Sequence, residues 1–337
     1  MQSSAVGRCS FTPSGGRRVC GEINVGRRLI SVKASQATVH PRRRRPQNVE
    51  GEFFVDHTCI DCDTCRWMAP QTFTRVGEQS AVFNQPSCEE ERLKALQALL
   101  SCPTASIRTE KPPRDILEVQ KSFPLPIDEQ RIPGVYHCGY HSKKSFGATS
   151  YLIVHQEGNI LVDSPSYKET LAQRIEMLGG ARYMFLTHRD DVADHDRWSK
   201  RLNCDRILHS EEVEKATSLV EMQLHGEGPW SLGADFELIF TPGHTEGCVC
   251  LLYKPLKVLF SGDHFAKSSK NELTMFEDYN WYSVPKQIES LRKLLDYEFE
   301  WILPGHGRRA EFRDTQEKNS AVKALLARKE EALLQLV

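Results

Sequence analysis

Cys59, Cys62 and Cys65 stand at Cys-x-x-Cys-x-x-Cys spacing, and a further cysteine, Cys102, comes well downstream with Pro103 behind it. Three cysteines so spaced let one short loop wrap a cubane of iron and sulfur, each thiolate turned toward a different iron, while a fourth ligand arrives from elsewhere. Cys102 is the candidate. The sequence predicts a helix from Glu89 to Leu100, opened by Ser87 with Glu90 three residues on as a capping box, and that helix returns the chain to the loop. The segment must then fold around one 4Fe-4S cluster held by Cys59, Cys62, Cys65 and Cys102. The alternatives are a zinc site, or free thiols kept reduced, and the triple spacing with Cys-Pro fits zinc ribbons poorly. Cys88, Cys138, Cys204, Cys248 and Cys250 show no such spacing; Cys248 and Cys250 share one face of a predicted strand and read as buried small apolar residues. A total of 11 cysteines, an odd number in a chain of 337 residues, argues against a disulfide scaffold.

Residues 53–107 resemble single-cluster ferredoxins of the bacterial type. Cys59-Ile60-Asp61-Cys62-Asp63-Thr64-Cys65 runs on to Ala69-Pro70 in place of a fourth nearby cysteine, and Cys102-Pro103-Thr104-Ala105-Ser106-Ile107 carries the Cys-Pro signature.

The first 47 residues hold ten Lys and Arg against one acid, Glu22, with six Ser and no apolar stretch long enough to span a membrane. This is the composition of an import segment, so residues 1–47 are expected to be a disordered transit peptide, with Val32-Lys33-Ala34 before Ser35 resembling a plastid processing site. The expected location is the chloroplast stroma, with the mitochondrion as alternative. A basic arm for nucleic acid or an acidic partner is the other reading. Beyond residue 47 the chain has 34 basic and 44 acidic residues, a net charge of −10, so the remainder lacks the basic footprint of nucleic-acid binding. Neither nucleic acid nor membrane is an expected partner.

Residues 48–110 are expected to form the iron-sulfur domain, residues 111–134 a Pro-punctuated extended linker, and residues 135–337 a larger domain. In the larger one, strands are predicted at 150–154, 159–163, 181–186, 236–240, 248–253, 257–261 and 301–303, with helices at 167–178 and 285–295. A closing amphipathic helix carries Val322, Leu325, Leu326, Leu333 and Leu336 at helical spacing. The order implies an α/β (α+β) fold.

Each polar cluster of this domain follows a predicted strand: Thr187-His188-Arg189-Asp190 with Asp194-His195, Thr241-Pro242-Gly243-His244, Ser261-Gly262-Asp263, and Pro304-Gly305-His306. Imidazoles and carboxylates gathered at one sheet edge are able to share one or two divalent cations, zinc or iron, with an activated water between them. These segments, in this order, resemble the metallo-β-lactamase superfamily, glyoxalase-II-like hydrolases being the nearest general pattern. The resemblance implies a four-layer αβ/βα sandwich preceded by a small ferredoxin-like domain. It further implies His188 and His244 at a first metal site, Asp194, His195 and His306 at a second, Asp263 bridging both, and catalytic roles for Asp194 and Asp263.

One departure stands out. The family's first motif is His-x-His-x-Asp-His, whereas here Asp190 takes the second His position and two extra residues precede Asp194-His195. Anchoring on His188 makes Asp190 a ligand, or else another loop acid; anchoring on Asp194-His195 puts Val192, which cannot ligate, at a His position. A carboxylate in place of imidazole shifts the balance from zinc toward iron or manganese, although ligand type alone does not select a metal. Flavodiiron proteins, a redox branch of the superfamily, carry a carboxylate there, but no flavodoxin-like segment follows. Asp191 and Asp196 read as solvated loop acids. His137, His141, His155, His209 and His225 read as surface or hydrogen-bonded histidines, and His264 as lying behind a ligand or facing substrate.

The first expectation is a plastid metal-dependent hydrolase of an ester, thioester or amide in a small-molecule substrate, with the cluster as accessory. The alternatives are a redox enzyme whose non-haem iron is fed by the cluster, served by an electron donor or acceptor protein, and a non-catalytic iron-sulfur protein. The aromatics of the loop 265–284, Phe276, Tyr279, Trp281 and Tyr282, are candidates for shaping a pocket.

Overall fold

The computed structural model describes residue 40 and residues 42–335. The expected import segment lies outside the described residues at 1–39 and 41, as does Leu336. Arg42–Arg45, expected within the disordered arm, are instead fixed. Arg42 donates to the carbonyls of Thr104 and Ala105 and pairs with Asp56, Arg44 forms a bridge to Asp56 through its backbone, and Arg45 is buried with its guanidinium on the carbonyls of Ser80 and Val76. The segment is held because its guanidiniums satisfy loop carbonyls that the small domain leaves unpaired.

That domain consists of β1 (Phe53–Val55), α1 (Thr64–Met68), the hairpin β2 (Phe73–Val76) and β3 (Gln79–Val82), α2 (Glu89–Ser101) and β4 (Ile107–Thr109), which returns antiparallel to β1. Its core is small: Phe53, Val55, Phe73, Val82, Ala95, Leu96, Ala98 and Ile107. A core of this size usually requires a metal or disulfide staple. Helix α2 begins as expected with acids in its first turn, Glu89–Glu91, which favour the helix dipole. The reciprocal cap differs by one residue. Ser87 donates from its amide and hydroxyl to Glu91 at 2.8 Å, while Glu90 pairs with Lys94. The helix ends in extended backbone at Cys102, which delivers that thiol to the Cys59–Cys65 loop.

The expected extended connector contains a short helix, α3 (Ile116–Gln120), and a strand, β5 (Leu125–Pro126), paired with β6 (Val135–His137). The chain continues through β7 (Tyr151–Ile153), β8 (Ile160–Val162), α4 (Glu169–Met177), β9 (Tyr183–Phe185), α5 (His195–Leu202), β10 (Asp205–His209) and β11 (Met222–Leu224). These strands form one sheet in the order β11-β10-β9-β8-β7-β6-β5. A second sheet is built from β12 (Trp230–Leu232), β13 (Phe236–Phe240), β14 (Val249–Tyr253), β15 (Val258–Gly262), β18 (Trp301–Pro304) and β19 (Ala310–Glu311), with the short pair β16 (Ala266–Lys267) and β17 (Leu273–Thr274), then α6 (Val284–Lys293), between β15 and β18. Helix α7 (Thr315–Leu334) closes the described chain.

Strand parity explains the layering. Tyr151 and Ile153 face the inter-sheet core with Phe185, Leu251 and Phe260, whereas Leu152, Leu161 and Met184 face outward against Leu171, Ile175 and Trp198 of α4 and α5. On the other sheet Cys250, Leu252 and Leu259 pack against Ile288 and Leu291 of α6 and Val322, Leu325 and Leu326 of α7. Both faces of both sheets are covered, which is why these strands read as nearly continuous apolar runs. The result is a four-layer αβ/βα sandwich. No helix among the described residues is long and apolar enough to cross a membrane.

Candidate metal centres

Cys59, Cys62, Cys65 and Cys102 line one enclosed cavity with Val55, Ile60, Ser80, Thr104 and Ile107. Backbone amides aim at the sulfurs: Ser80 N donates to Cys59 Sγ at 3.4 Å and Ser106 N to Cys102 Sγ at 3.3 Å. The loop holds Asp61 and Asp63 in left-handed backbone, and Arg66 braces both carboxylates at 2.6 and 2.5 Å. Burial pushes the Cys62 thiol up to about 11, helped by the neighbouring Cys102 and Cys59, and raises the Cys65 thiol well above its ordinary value. Four thiols converge on one cavity, Cys65 buried and the other three half-buried, and amide donors already point at two of the sulfurs; the cradle fits an iron-sulfur cluster.

The second centre is built from strand ends. Past β9 the chain places Thr187 and His188, past β13 His244, past β15 Asp263 and past β18 His306. A register shift between Phe260 and Gly262, where β15 pairs with β18, re-aims the chain just before Asp263. His188 Nε2 and His244 Nε2 each lie 3.7 Å from Asp263 Oδ2, and Asp190 Oδ2 faces the same nitrogens at 3.8 and 3.6 Å. Ligands about 2.1 Å from a tetrahedral ion are about 3.4 Å apart, so these separations fit a shared cation. Orientation comes from behind: Thr187 donates to Asp163, and its Oγ1 lies 3.0 Å from His188 Nδ1, leaving Nε2 toward the site.

A second donor group joins Asp191, Asp263 and His306. Asp191 is wholly buried, not a solvated loop acid, and neither carboxylate oxygen finds a hydrogen-bond partner among the described residues. The Nε2 atoms of His188, His244 and His306 are likewise buried without partners. A β-carbon at Gly305 would stand 2.6 Å from Asp191 Oδ2 and 2.8 Å from Asp263 Oδ1, so only glycine leaves the space these carboxylates share. Burial raises Asp191 well above the carboxylate range, with the Asp263 charge adding to it. His306, against the pull of burial, is held up to about 10 by Asp263 and Asp191, and its Nδ1 lies 2.8 Å from Asp263 Oδ2. Converging, unpartnered buried donors of mixed imidazole and carboxylate type fit divalent cations.

Asp194 and His195, expected at the second metal site, are elsewhere. Val192 and Ala193 carry the chain past the centre, and Asp194 becomes the residue that opens α5. Its carboxylate accepts from Lys144 at 2.7 Å and from Tyr167 N at 2.8 Å. His195 Nδ1 lies 3.2 Å from the Arg206 guanidinium, a cation incompatible with a metal ion on the same imidazole. The tight turn Arg189–Asp191 lets two consecutive aspartates serve the two donor groups, Asp190 the first and Asp191 the second.

Three further residues carry no motif. Glu212, fully buried, accepts from Gly247 N at 2.5 Å and Arg189 N at 2.9 Å, tying the loop after His188 to the loop after His244. Asp163 supports Thr187 as described; its place at a strand end, like the expected ligands, was the available signal. His264 is buried with neither nitrogen hydrogen-bonded among the described residues, and burial pulls it down to about 3. At the surface, Trp281 N donates to the His244 carbonyl at 2.9 Å, which ties the loop bearing the exposed Tyr279, Trp281 and Tyr282 to the His244 loop.

A sandwich with a carboxylate–imidazole centre at its strand ends, joined to a four-cysteine cradle, defines a two-centre metalloprotein. Residues 145–306 match the family model of the metallo-beta-lactamase superfamily, and residues 55–109 match the 4Fe-4S single cluster domain of ferredoxin I. Over those spans the chain belongs to the metallo-β-lactamase superfamily and carries a single-cluster 4Fe-4S ferredoxin-type domain. Among solved structures it is similar to VMB-1, with 18% identity, 57% of this chain and 93% of that one covered, and a TM-score of 0.45. It is also similar to a metallo-β-lactamase of Cronobacter sakazakii, with 17% identity, coverage of 65% and 97%, and a TM-score of 0.43. TTHA1623 in a di-iron-bound form shows 21% identity, coverage of 52% and 93%, and a TM-score of 0.41.

Proposed function

We propose that the larger domain is a metal-dependent hydrolase of an ester, thioester or amide, working in the plastid stroma with the iron-sulfur domain attached. The observation that carries this reading is that Asp263 belongs to both donor groups, His188–His244–Asp263 and Asp191–Asp263–His306. Zinc or iron held there would supply Lewis acidity and lower the pKa of water. His188 and His244 would hold the first ion with Asp190, and Asp191 and His306 the second, with Asp263 between. Trp281 and Phe146, whose backbones meet His244 and His306 and whose side chains are exposed, would take the apolar part of an acyl substrate.

The test is turnover of aryl-ester and acyl-thioester probes by the metal-loaded full chain. Asp263→Asn should abolish hydrolysis while retaining cluster absorbance; undiminished hydrolysis in that variant would sink the reading. Import is tested separately by fusing residues 1–39 to a fluorescent reporter, with stromal fluorescence expected and cytosolic retention contrary.

A second reading rests on one observation. His188, His244 and Asp263 are a two-histidine, one-carboxylate set, the ligand combination of non-haem ferrous enzymes, with Asp190 adding a further hard oxygen. Under it the centre holds iron, the reaction is a redox one, and an electron donor or acceptor protein serves the cluster. Oxygen consumption by the reduced, iron-loaded protein, in place of hydrolysis, separates the two.

A further inference from the structure

The cysteine cradle and the carboxylate–imidazole centre meet at one strap, residues 141–147, in which His141, Ser142, Ser145 and Gly147 are buried. Thr64 Oγ1 lies 3.4 Å from Cys62 Sγ and 3.1 Å from His141 Nδ1, and His141 Nδ1 lies 2.8 Å from the Gly147 carbonyl. Gly147 has a φ of +95°, and a β-carbon there would stand 3.0 Å from Cys62 Cβ, 3.1 Å from Pro103 and 3.4 Å from Cys62 Sγ. Glycine thus brings the strap's backbone into contact with a cluster ligand. On its other side the strap's turn Lys143–Ser145 packs on the turn Arg189–Asp191 that carries the aspartates, and the Phe146 backbone faces His306.

A second connection runs alongside. His137 Nε2 lies 2.8 Å from His141 Nε2, and Trp67, two residues after Cys65, has its ring 5.3 Å from that of His137. Arg309, three residues after His306, sets its guanidinium 4.8 Å over Trp67. The rest of the cradle lining mixes the aliphatic Val55, Ile60 and Ile107 with Ser80, Thr104 and Ser106. Ser80, Thr104 and Ser106 also contact the sulfurs, but Thr64 is the contact that continues, through His141, into the strap.

We propose that Thr64, His141 and the Gly147 segment are the route by which single electrons pass between a cluster in the cysteine cradle and an iron ion at Asp191, Asp263 and His306. In a single passage the reduced cluster would lose one electron and a ferric ion there would gain it, becoming ferrous. A low-potential one-electron donor protein resupplies the cluster, and no bond to substrate is made or broken. The proposal rests on iron occupying the second centre and is independent of whether hydrolysis occurs there.

The experiment uses the full chain with its cluster intact and either ferric iron or redox-silent zinc in the second centre. After a photochemical pulse of reductant, freeze-quenched electron paramagnetic resonance follows the reduced-cluster and ferric signals. The cluster signal should decay faster with iron than with zinc, the ferric signal falling in step. Thr64→Val, nearly isosteric, and His141→Phe should slow the decay about tenfold, the low end of what outer-shell changes cost at metal centres, at a cluster potential measured for each variant so that loss of the Thr64 contact to Cys62 is accounted for. Equal decay with iron and zinc, unchanged rates in Thr64→Val, or a second centre that refuses iron would each overturn the proposal. Hydrolysis by the zinc form is measured separately, so failure of the route and failure of the hydrolase reading are distinguishable.

Discussion

Arg308 donates two hydrogen bonds, at 2.7 and 3.1 Å, to the carboxylate of Asp63. The arginine follows His306 by two residues and the aspartate lies between Cys62 and Cys65, so this pair pins the two centres to each other. Asp63→Asn removes the charge that both Arg308 and Arg66 engage in a partly buried setting. A loss of about 1–3 kcal/mol is expected, as for hydrogen bonds to charged groups. Urea denaturation checks it, together with faster bleaching of cluster absorbance in air; an unchanged midpoint and bleaching rate would show that the pair holds nothing.

Glu212→Gln places an amide –NH₂ against one of two backbone amides that now find a carboxylate oxygen. The loops bearing His188 and His244 should loosen, lowering metal affinity about 10- to 100-fold, as outer-shell changes do. Competition with a chromophoric chelator measures this. Glu212→Asp, with the charge kept, should recover part of the loss; no recovery would mean that packing alone matters.

How much of this was legible in the sequence depends on how far a residue's partners lie along the chain. The layering, most strand positions and the cysteine cradle follow from local spacing and parity, since Tyr151 and Leu152 or Cys250 and Leu251 part company by alternation alone. His188, His244, Asp263 and His306 were legible because each follows a strand. Asp191 was not, because only the tight Arg189–Asp191 turn, together with a glycine more than a hundred residues away at Gly305, turns a loop acid into a buried one. Asp194 and His195 resembled ligands by order, but two intervening residues carried them to a helix start where Lys144 and Arg206 claim them. His141 meets Thr64 across a separation no motif spans.

The Arg206 network around His195 also sets an acid limit. Hydrogen bonds from Arg206 hold the Glu221 carboxylate down to about 2 from its ordinary 4.5. The folded pKa lies below the unfolded one, so the stabilisation is present in full above the unfolded value and is lost as pH falls through the folded one. The urea midpoint of the native protein should therefore drop more steeply than that of Glu221→Gln between about pH 5 and about pH 2. Parallel curves would contradict the assignment.

The central claim is that the second centre is completed by Asp191 and not by Asp194. Metal analysis of anaerobically purified protein, with cluster iron counted separately by electron paramagnetic resonance, tests it most directly. Asp191→Asn should lose an ion from the second centre while Asp194→Asn keeps the native content. Full metal in Asp191→Asn, with loss in Asp194→Asn, would contradict it.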